Sequence, residues 1–189
     1  MRELVYYVAV SIDGFIADAE GGFDAFLVEG DHSSLVLGEY ADALPMHVHQ
    51  ALGSEPPGTR FDTVVMGWNT LVPALEAGIG SPYPHLRQLV ASREPREHDP
   101  AITLTSDPLR DVRALKEKDG LDIWLCGGGE LAGTLLPEID RLVLKRNPLV
   151  FGSGIHVFGN APGGPQTFQL ASVRPFASGV VVEEYTRRA

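Results

Sequence analysis

Short apolar runs alternate along the chain with segments in which apolar residues recur every three or four positions. The first run, LVYYVAV at residues 4–10, is rich in Val and Tyr and has no polar interruption. Such a run is typical of a strand buried on both faces, so we expect it near the centre of a sheet. Further runs predict strands at residues 62–67, 86–92, 101–105, 121–126 and 141–147.

The segments between these runs predict helices. Residues 33–53 carry apolar side chains at helical spacing and predict one helix, kinked at Pro45. Residues 107–120 combine a polar cap, a proline at the first helical position and a terminal glycine, which together satisfy the two ends of a helix. A third helix is predicted over residues 130–137.

The end of the chain predicts a different arrangement. Residues 166–176 and 179–185 alternate apolar and polar side chains across a turn of small residues, which predicts an antiparallel hairpin at a sheet edge. Strands that alternate with helices and end in a hairpin indicate an α/β fold. We therefore expect a single domain over residues 1–189, with a central mixed, mostly parallel sheet flanked by helices and a C-terminal antiparallel hairpin.

Composition then narrows the classes of partner. The 189 residues include 15 basic and 25 acidic side chains, for a formal charge of −10, and the basic residues are scattered. Nucleic acid requires clustered Lys and Arg, so we expect no nucleic-acid partner. No apolar run approaches the roughly 18 residues of a membrane helix, so we expect no membrane partner. The one cysteine, Cys126, favours a reducing compartment and a cytoplasmic location.

Ligands of such sheets bind at the carboxyl ends of the strands, and three of these ends carry candidate chemistry. Gly127, Gly129 and Ala132 fit a loose G-x-G-x-x-G/A pattern between a strand and a helix. Backbone N–H groups exposed by glycine at a helix start bind phosphate. The alternative is a tight strand-to-helix turn. A standard Rossmann unit fits poorly, because that motif opens its fold and here follows most of the chain.

The other two strand ends carry polar side chains. Gly67 permits close backbone approach, and Asn69 and Thr70 offer side-chain donors; the alternative is an ordinary helix cap. Ser92 and Arg93 place a hydroxyl beside a guanidinium, which suits a phosphate monoester. The alternative for this pair is a solvated strand end.

Together these turns carry a resemblance that spans nearly the whole chain. The sequence resembles the dihydrofolate reductase-like superfamily, and within it the branch similar to the reductase domain of the riboflavin-biosynthesis deaminase-reductase. The blocks that carry the resemblance are VAVSIDGFIA, DTVVMGWNT, LVASR, DIWLCGGGELAGTLL and EIDRLVLKRNPLVFGSGIHVFG.

The resemblance implies an NADPH cofactor lying across the sheet. Ser92 and Arg93 would bind its 2′-phosphate, and Ala9 would approach its nicotinamide. Trp68 stands where the family usually has a basic residue; an indole can stack on adenine but cannot neutralise phosphate, which leaves the preference between NADPH and NADH open. The remaining residues of the implied cofactor path are Gly67, Asn69, Thr70, Gly127, Gly128, Gly129, Glu130 and Leu131.

The substrate side is less defined by the sequence. Asp13 and Gly14 follow the first strand directly and are candidates for binding a small-molecule substrate; the alternative for Asp13 is a turn residue. Ser153 is a turn residue or a substrate contact. No proton donor is assigned, since Glu39 and Asp42 lie at uncertain register on the predicted helix.

Other reactive side chains have simpler interpretations. Asp31 and His32 could reach the pocket or belong to a loop, and His156 replaces a proline common in the family, so its role is open. His47 and His49 would point to different helix faces, so we expect no metal site. Cys126 has no evident base partner and is read as a small buried residue rather than a nucleophile.

These observations support three hypotheses. The first is an NADPH-dependent reductase that transfers a hydride to a C=N-type centre of a pterin or ribosylaminopyrimidine. The second is an NADP(H)-binding non-catalytic or regulatory protein of the same fold. The third is an interaction subunit whose edge hairpin forms a homodimer.

Overall fold

A computed structural model describes residues 2–161 and 163–188 and contains ten strands. They are β1 (Leu4–Val10), β2 (Phe15–Ala17), β3 (Phe61–Gly67), β4 (Arg87–Ala91), β5 (Ile102–Thr105), β6 (Asp122–Gly127), β7 (Arg141–Arg146), β8 (Ile155–His156), β9 (Phe168–Pro175) and β10 (Val181–Arg187).

Eight of these strands form one sheet in the order β5-β4-β3-β6-β1-β7-β10-β9. All neighbouring pairs from β5 to β7 are parallel, whereas β10 is antiparallel to both β7 and β9. The short strands β2 and β8 pair separately. The predicted fold class is therefore confirmed, including the central position of β1 and the hairpin at the sheet edge.

Five α-helices connect the strands, and two single turns of 3₁₀-helix lie at Ala41–Ala43 and Leu136–Glu138. The α-helices are α1 (Ser33–Leu37), α2 (Met46–Leu52), α3 (Trp68–Glu76), α4 (Pro108–Lys116) and α5 (Gly129–Leu135). Within the described ranges, every helix is too short or too polar to span a bilayer.

The prediction of one kinked helix over residues 33–53 is wrong. Helix α1 ends at Gly38, and Pro45 caps α2 in an extended conformation. A proline disfavours the helical conformation of the residue before it, and Leu44 is accordingly extended, with ψ 137°. The apolar spacing was real, but it belongs to two helices and a 3₁₀ turn.

Each face of the sheet packs its own core. Val5 and Tyr7 of β1 face the side covered by α1 and α3, together with Trp124. Leu4 and Tyr6 face the side covered by α4 and α5. This burial on both faces is the reason that β1 is apolar without alternation.

Candidate functional site

The carboxyl ends of β4, β3, β6 and β1 lie side by side at one edge of the sheet. Gly67 pairs with Ala91 of β4, and Met66 pairs with Gly127 of β6. Because parallel strands end at the same edge, the structure brings together the three turns that the sequence singled out.

Glycine backbone faces glycine backbone where two of these turns meet. A Cβ on Gly67 would lie 3.7 Å from the backbone nitrogen of Gly128, and a Cβ on Gly128 would lie 3.5 Å from Thr70 Oγ1. Gly127 has φ +135°, which favours glycine, and a Cβ there would meet nothing within 4 Å. The turns therefore present backbone without side chains at this edge of the sheet.

The two helices that begin at this edge of the sheet have no side-chain cap. The N-cap residues of α3 and α5 are Gly67 and Gly128, and neither can accept from the first N–H groups. By contrast, Asp107 caps α4 by accepting from the Arg110 N–H at 3.1 Å. The N–H groups at the N-termini of α3 and α5 are suited to bind an anionic ligand such as phosphate.

Two arginines follow β4 at this edge of the sheet. Arg93 is exposed and pairs with no carboxylate in the described part of the chain, whereas Arg96 pairs with Glu94 at 3.2 Å. The Arg96 guanidinium lies 5.4 Å from the centroid of the Trp68 ring, which is half-buried. Ser92 Oγ donates to the Glu94 carbonyl at 2.7 Å.

Arg96 was not predicted from the sequence to lie at this site. The only available signal was a second arginine three positions after Arg93. Its guanidinium lies over the indole but is paired with Glu94, so it gives Trp68 a cation–π contact without adding an unpaired charge.

The start of α5 also packs against the segment 156–160. A Cβ on Gly129 would come within 2.0 Å of the His156 carbonyl oxygen. Glu130 Oε1 accepts from the backbone and side-chain nitrogens of Asn160 at 3.3 Å, and Leu131 is buried in the core. The side chains of Glu130 and Leu131 therefore contact other parts of the protein. Only the backbone N–H groups of this turn remain for a ligand.

Asp13 holds a loop at the rim of the site. Its carboxylate accepts from Ser11 Oγ at 2.6 Å and from the backbone N–H groups of Phe151 at 3.2 Å and Gly152 at 2.7 Å. The Ser11 hydroxyl, followed by these amides, lowers the pKa of the Asp13 carboxyl. Ser153, next along this loop, is exposed. Asp13 thus joins the end of β1 to the loop after β7.

The neighbouring residues are positioned in the same way. Gly14 has φ +87°, and a Cβ on it would lie 3.8 Å from the His156 ring. That imidazole packs on Phe15, with ring centroids 4.5 Å apart. His156 therefore covers the turn after β1.

The other candidate acids also have partners within the protein. Asp42 accepts from four successive N–H groups at residues 58–61, and these outweigh the opposing effect of burial and lower its pKa. Asp31 accepts from two N–H groups at residues 177–178. Glu39 Oε1 lies 2.6 Å from Arg174 Nη1.

The histidines are similarly engaged. His32 lies between Ser178 Oγ and the Leu27 carbonyl, and His49 lies between Ser54 Oγ and the Ala41 carbonyl. No cluster of three or more His, Cys, Asp or Glu side chains within residues 2–161 and 163–188 is placed to bind a metal ion.

Lys145 was also not among the residues predicted from the sequence. It lies on β7 opposite Ala9 of β1, and its Nζ lies 4.7 Å from the centroid of the Tyr7 ring. Burial lowers the pKa of the Lys145 ammonium to about 8, against a smaller opposing effect of the Cys126 thiol. The available signal was a lysine two positions after Val143, on the face of the strand that packs into the core.

Cys126 and Tyr7 complete this group. Burial raises the pKa of the Cys126 thiol to about 12, which makes it a neutral packing residue rather than a thiolate. The Tyr7 hydroxyl is buried and has no hydrogen-bond partner among the residues described.

Comparison with known proteins agrees with this geometry. The model of the RibD C-terminal domain family matches residues 58–182. The uncharacterized protein YwjB of Bacillus subtilis is 31% identical over 164 residues, which cover 83% of each chain.

Two solved structures share the fold. A putative riboflavin biosynthesis protein from Shewanella sp. PV-4 has a TM-score of 0.71 at 22% identity, covering 100% of both chains. Dihydrofolate reductase from Enterococcus faecalis, complexed with NADP(H), has a TM-score of 0.67 at 16% identity, covering 99% of this chain and 97% of that one. The chain belongs to the RibD C-terminal domain family, and it shares its fold with the dihydrofolate reductase of Enterococcus faecalis.

Proposed function

We propose that this protein is an NADPH-dependent reductase that transfers a hydride to a C=N-type centre of a pterin or ribosylaminopyrimidine. The observation that carries the proposal is the meeting of three strand ends, two of them with glycine turns, at one edge of the sheet. Two helix starts without side-chain caps and the unpaired Arg93 lie at this edge. Helix N–H groups and a guanidinium are suited to bind the phosphates of a dinucleotide.

The residues present fit such a cofactor. Backbone at Gly67 and at residues 127–129, with the side chains of Asn69 and Thr70, would hold its pyrophosphate. Arg93 and Ser92 would bind the 2′-phosphate, and Trp68 under Arg96 would stack on the adenine. When bound, NADPH supplies the hydride.

The small side chain of Ala9 supports a flat ring against β1. Ala9 is partly buried near the carboxyl end of β1 and pairs with Lys145 on β7. A methyl group there leaves room for an aromatic ring to lie close to the strand. The substrate class is supported by the riboflavin-biosynthesis and dihydrofolate-reductase relatives.

A titration of the purified protein with NADPH and NADH tests cofactor binding. Emission from Trp68 is the readout, since Trp124 is buried in the core, and Trp68→Phe provides the matched control. We expect NADPH to quench the emission and to raise the melting temperature. An unchanged melting temperature with both cofactors would remove the proposal.

Loss of NADPH absorbance in the presence of candidate substrates tests turnover. We expect consumption with dihydrofolate or with the ribosylaminouracil phosphate. The replacement of the family's basic residue by Trp68 favours a second candidate, a protein that binds NADP(H) without turnover. Saturable NADPH binding with no consumption on either substrate would select that candidate.

A further inference from the structure

The chain has three lysines, and Lys145 differs from the other two in its surroundings. Lys116 pairs with Asp140 at 2.7 Å, and Lys118 is exposed. Lys145 is half-buried and pairs with Ala9 on one neighbouring strand and Val182 on the other. No carboxylate of the described residues pairs with its ammonium, so its charge is held without a counterion.

The aromatic ring beneath Lys145 belongs to a column that carries a cation at each end. Arg60 lies 4.2 Å from the centroid of the Tyr40 ring, and Tyr40 stacks on Tyr7 at 4.1 Å. Lys145 Nζ lies 4.7 Å from the Tyr7 ring. The column fixes Tyr7 and leaves the ammonium at the end nearest the carboxyl terminus of β1.

The acidic groups on this face are engaged elsewhere. Glu184 of β10 lies 2.6 Å from Arg174 and accepts from the Tyr40 hydroxyl at 3.3 Å. Arg174 also binds Glu39. A fold that needed Lys145 only for packing would gain from an apolar residue there, because a buried unpaired charge opposes folding. Such a group near the carboxyl ends of parallel strands, opposite Ala9, is a candidate functional residue.

We propose that Lys145 is the catalytic proton donor of the reductase, an inference that rests on the proposed function. As the carbon of the C=N bond takes the hydride, the π electrons of that bond move to nitrogen. The nitrogen then forms an N–H bond with a proton from the Lys145 ammonium. The lysine is left neutral and regains a proton from water.

The acidity of this group suits the task. Burial lowers the pKa of Lys145 to about 8. A general acid is most effective when its pKa lies near the working pH, because it is then protonated and still acidic enough to transfer its proton. Its facing neighbours are Tyr7 from β1, Cys126 from β6, and Tyr40 and Glu184 from the elements packed on them. Burial raises the pKa of Cys126 and of Tyr40 to about 12 and that of Tyr7 above its usual value. Lys145 is therefore the group of this cluster that titrates near pH 8.

The first test does not depend on activity. The lysines are dimethylated with ¹³C-formaldehyde, and each methyl resonance is followed by NMR as the pH rises, with Lys145→Arg used for assignment. We expect Lys145 to titrate well below Lys118, and the addition of NADPH to shift the Lys145 resonance but not that of Lys118. Titration of both lysines together, with no response to NADPH, would overturn the proposal.

The second test compares variants in turnover. Lys145→Met should lower kcat roughly 10²- to 10⁴-fold while the Kd for NADPH changes less than about twofold. In the wild type, kcat should fall above pH 8 as Lys145 loses its proton. Lys145→Arg should keep part of the activity, and its kcat should not fall in this range, because arginine stays protonated. Lys118→Met, which changes an exposed lysine, is the control and should match the wild type.

The failures are distinguishable. A wild-type protein that binds no NADPH overturns the proposed function, and this inference with it. A wild type that binds and reduces, with a Lys145→Met variant of equal kcat, overturns the inference alone.

Discussion

At the scale of single residues, the half-buried ammonium of Lys145 opposes folding. We expect Lys145→Met to raise the free energy of unfolding by roughly 2 kcal/mol at pH 7, because the variant removes a charge that has lost part of its water. Urea denaturation of both proteins measures the difference, with Lys118→Met as the control. A variant less stable than the wild type would show that the ammonium is stabilised by its surroundings.

The same residue gives stability a pH dependence. The folded protein releases the Lys145 proton near pH 8, whereas the unfolded chain keeps it until about pH 10.5. The unfolded state therefore binds more protons between these values, and wild-type stability rises with pH in that window. We expect the advantage of Lys145→Met to shrink from pH 8 to pH 10.5. An advantage that stays constant over this range would contradict the lowered pKa.

Asp13 provides a second prediction on pH. Because its pKa is lowered in the folded state, its contribution to stability is present above its unfolded value of about 3.8 and is lost as the pH falls through the folded value. Asp13→Ala should lower the melting temperature at pH 7, because the N–H groups of Phe151 and Gly152 lose their acceptor. The deficit should shrink as the pH of the melts falls below about 3.8. A deficit that stays constant there would point to a role other than the charged form.

Arg93 is expected to bind the 2′-phosphate of NADPH, which NADH lacks. Arg93→Ala should weaken NADPH roughly 10- to 100-fold, the range of one lost charge-assisted hydrogen bond, and leave NADH nearly unchanged. Calorimetric titrations give both affinities. Arg113→Ala, an exposed arginine paired with Glu138, is the control. Equal losses for the two cofactors would remove Arg93 from that role.

At the scale of elements, α5 depends on two glycines against the segment 156–161. A Cβ on Gly133 would come within 2.4 Å of the Phe158 carbonyl, as one on Gly129 would approach His156. We expect Gly133→Ala to lower the free energy of unfolding by about 1–3 kcal/mol, since backbone must move to admit it. Gly164→Ala meets nothing within 4 Å and is the matched control. Equal denaturation midpoints for the two variants would contradict this packing.

The elements also show what the sequence could predict. Strands β1 and β6 were recognisable because burial on both faces removes polar positions, and α4 was recognisable because Asp107 and Pro108 mark its start. Helices α1 and α2 merged in the prediction because periodicity does not register a break at Gly38. The three turns were predicted to lie together, since parallel strands end at one edge. Lys145 was missed because its environment comes from β1 and β10, which are distant in sequence.

At the scale of the whole molecule, the outer edge of β9 offers a surface to a second copy of the chain. Leu170 and Val173 on this edge strand are 52% and 49% exposed. An open edge with apolar side chains favours pairing. We propose a homodimer through this hairpin, so light scattering should give twice the chain mass, and Leu170→Glu should give the monomer. Gln169→Glu is the control; a monomeric wild type would contradict the proposal.

The position of β1 has a consequence for how the chain folds. Its pairings join Leu4 to Ile123 and Val5 to Arg141, which are 119 and 136 residues apart, so β1 must wait during synthesis for both partner strands. Pairings of such sequence separation slow folding, because a long loop must close before they form. Until β6 and β7 emerge, LVYYVAV is an apolar strand without its partners. Release of the chain before residue 147 would therefore leave this strand incompletely paired.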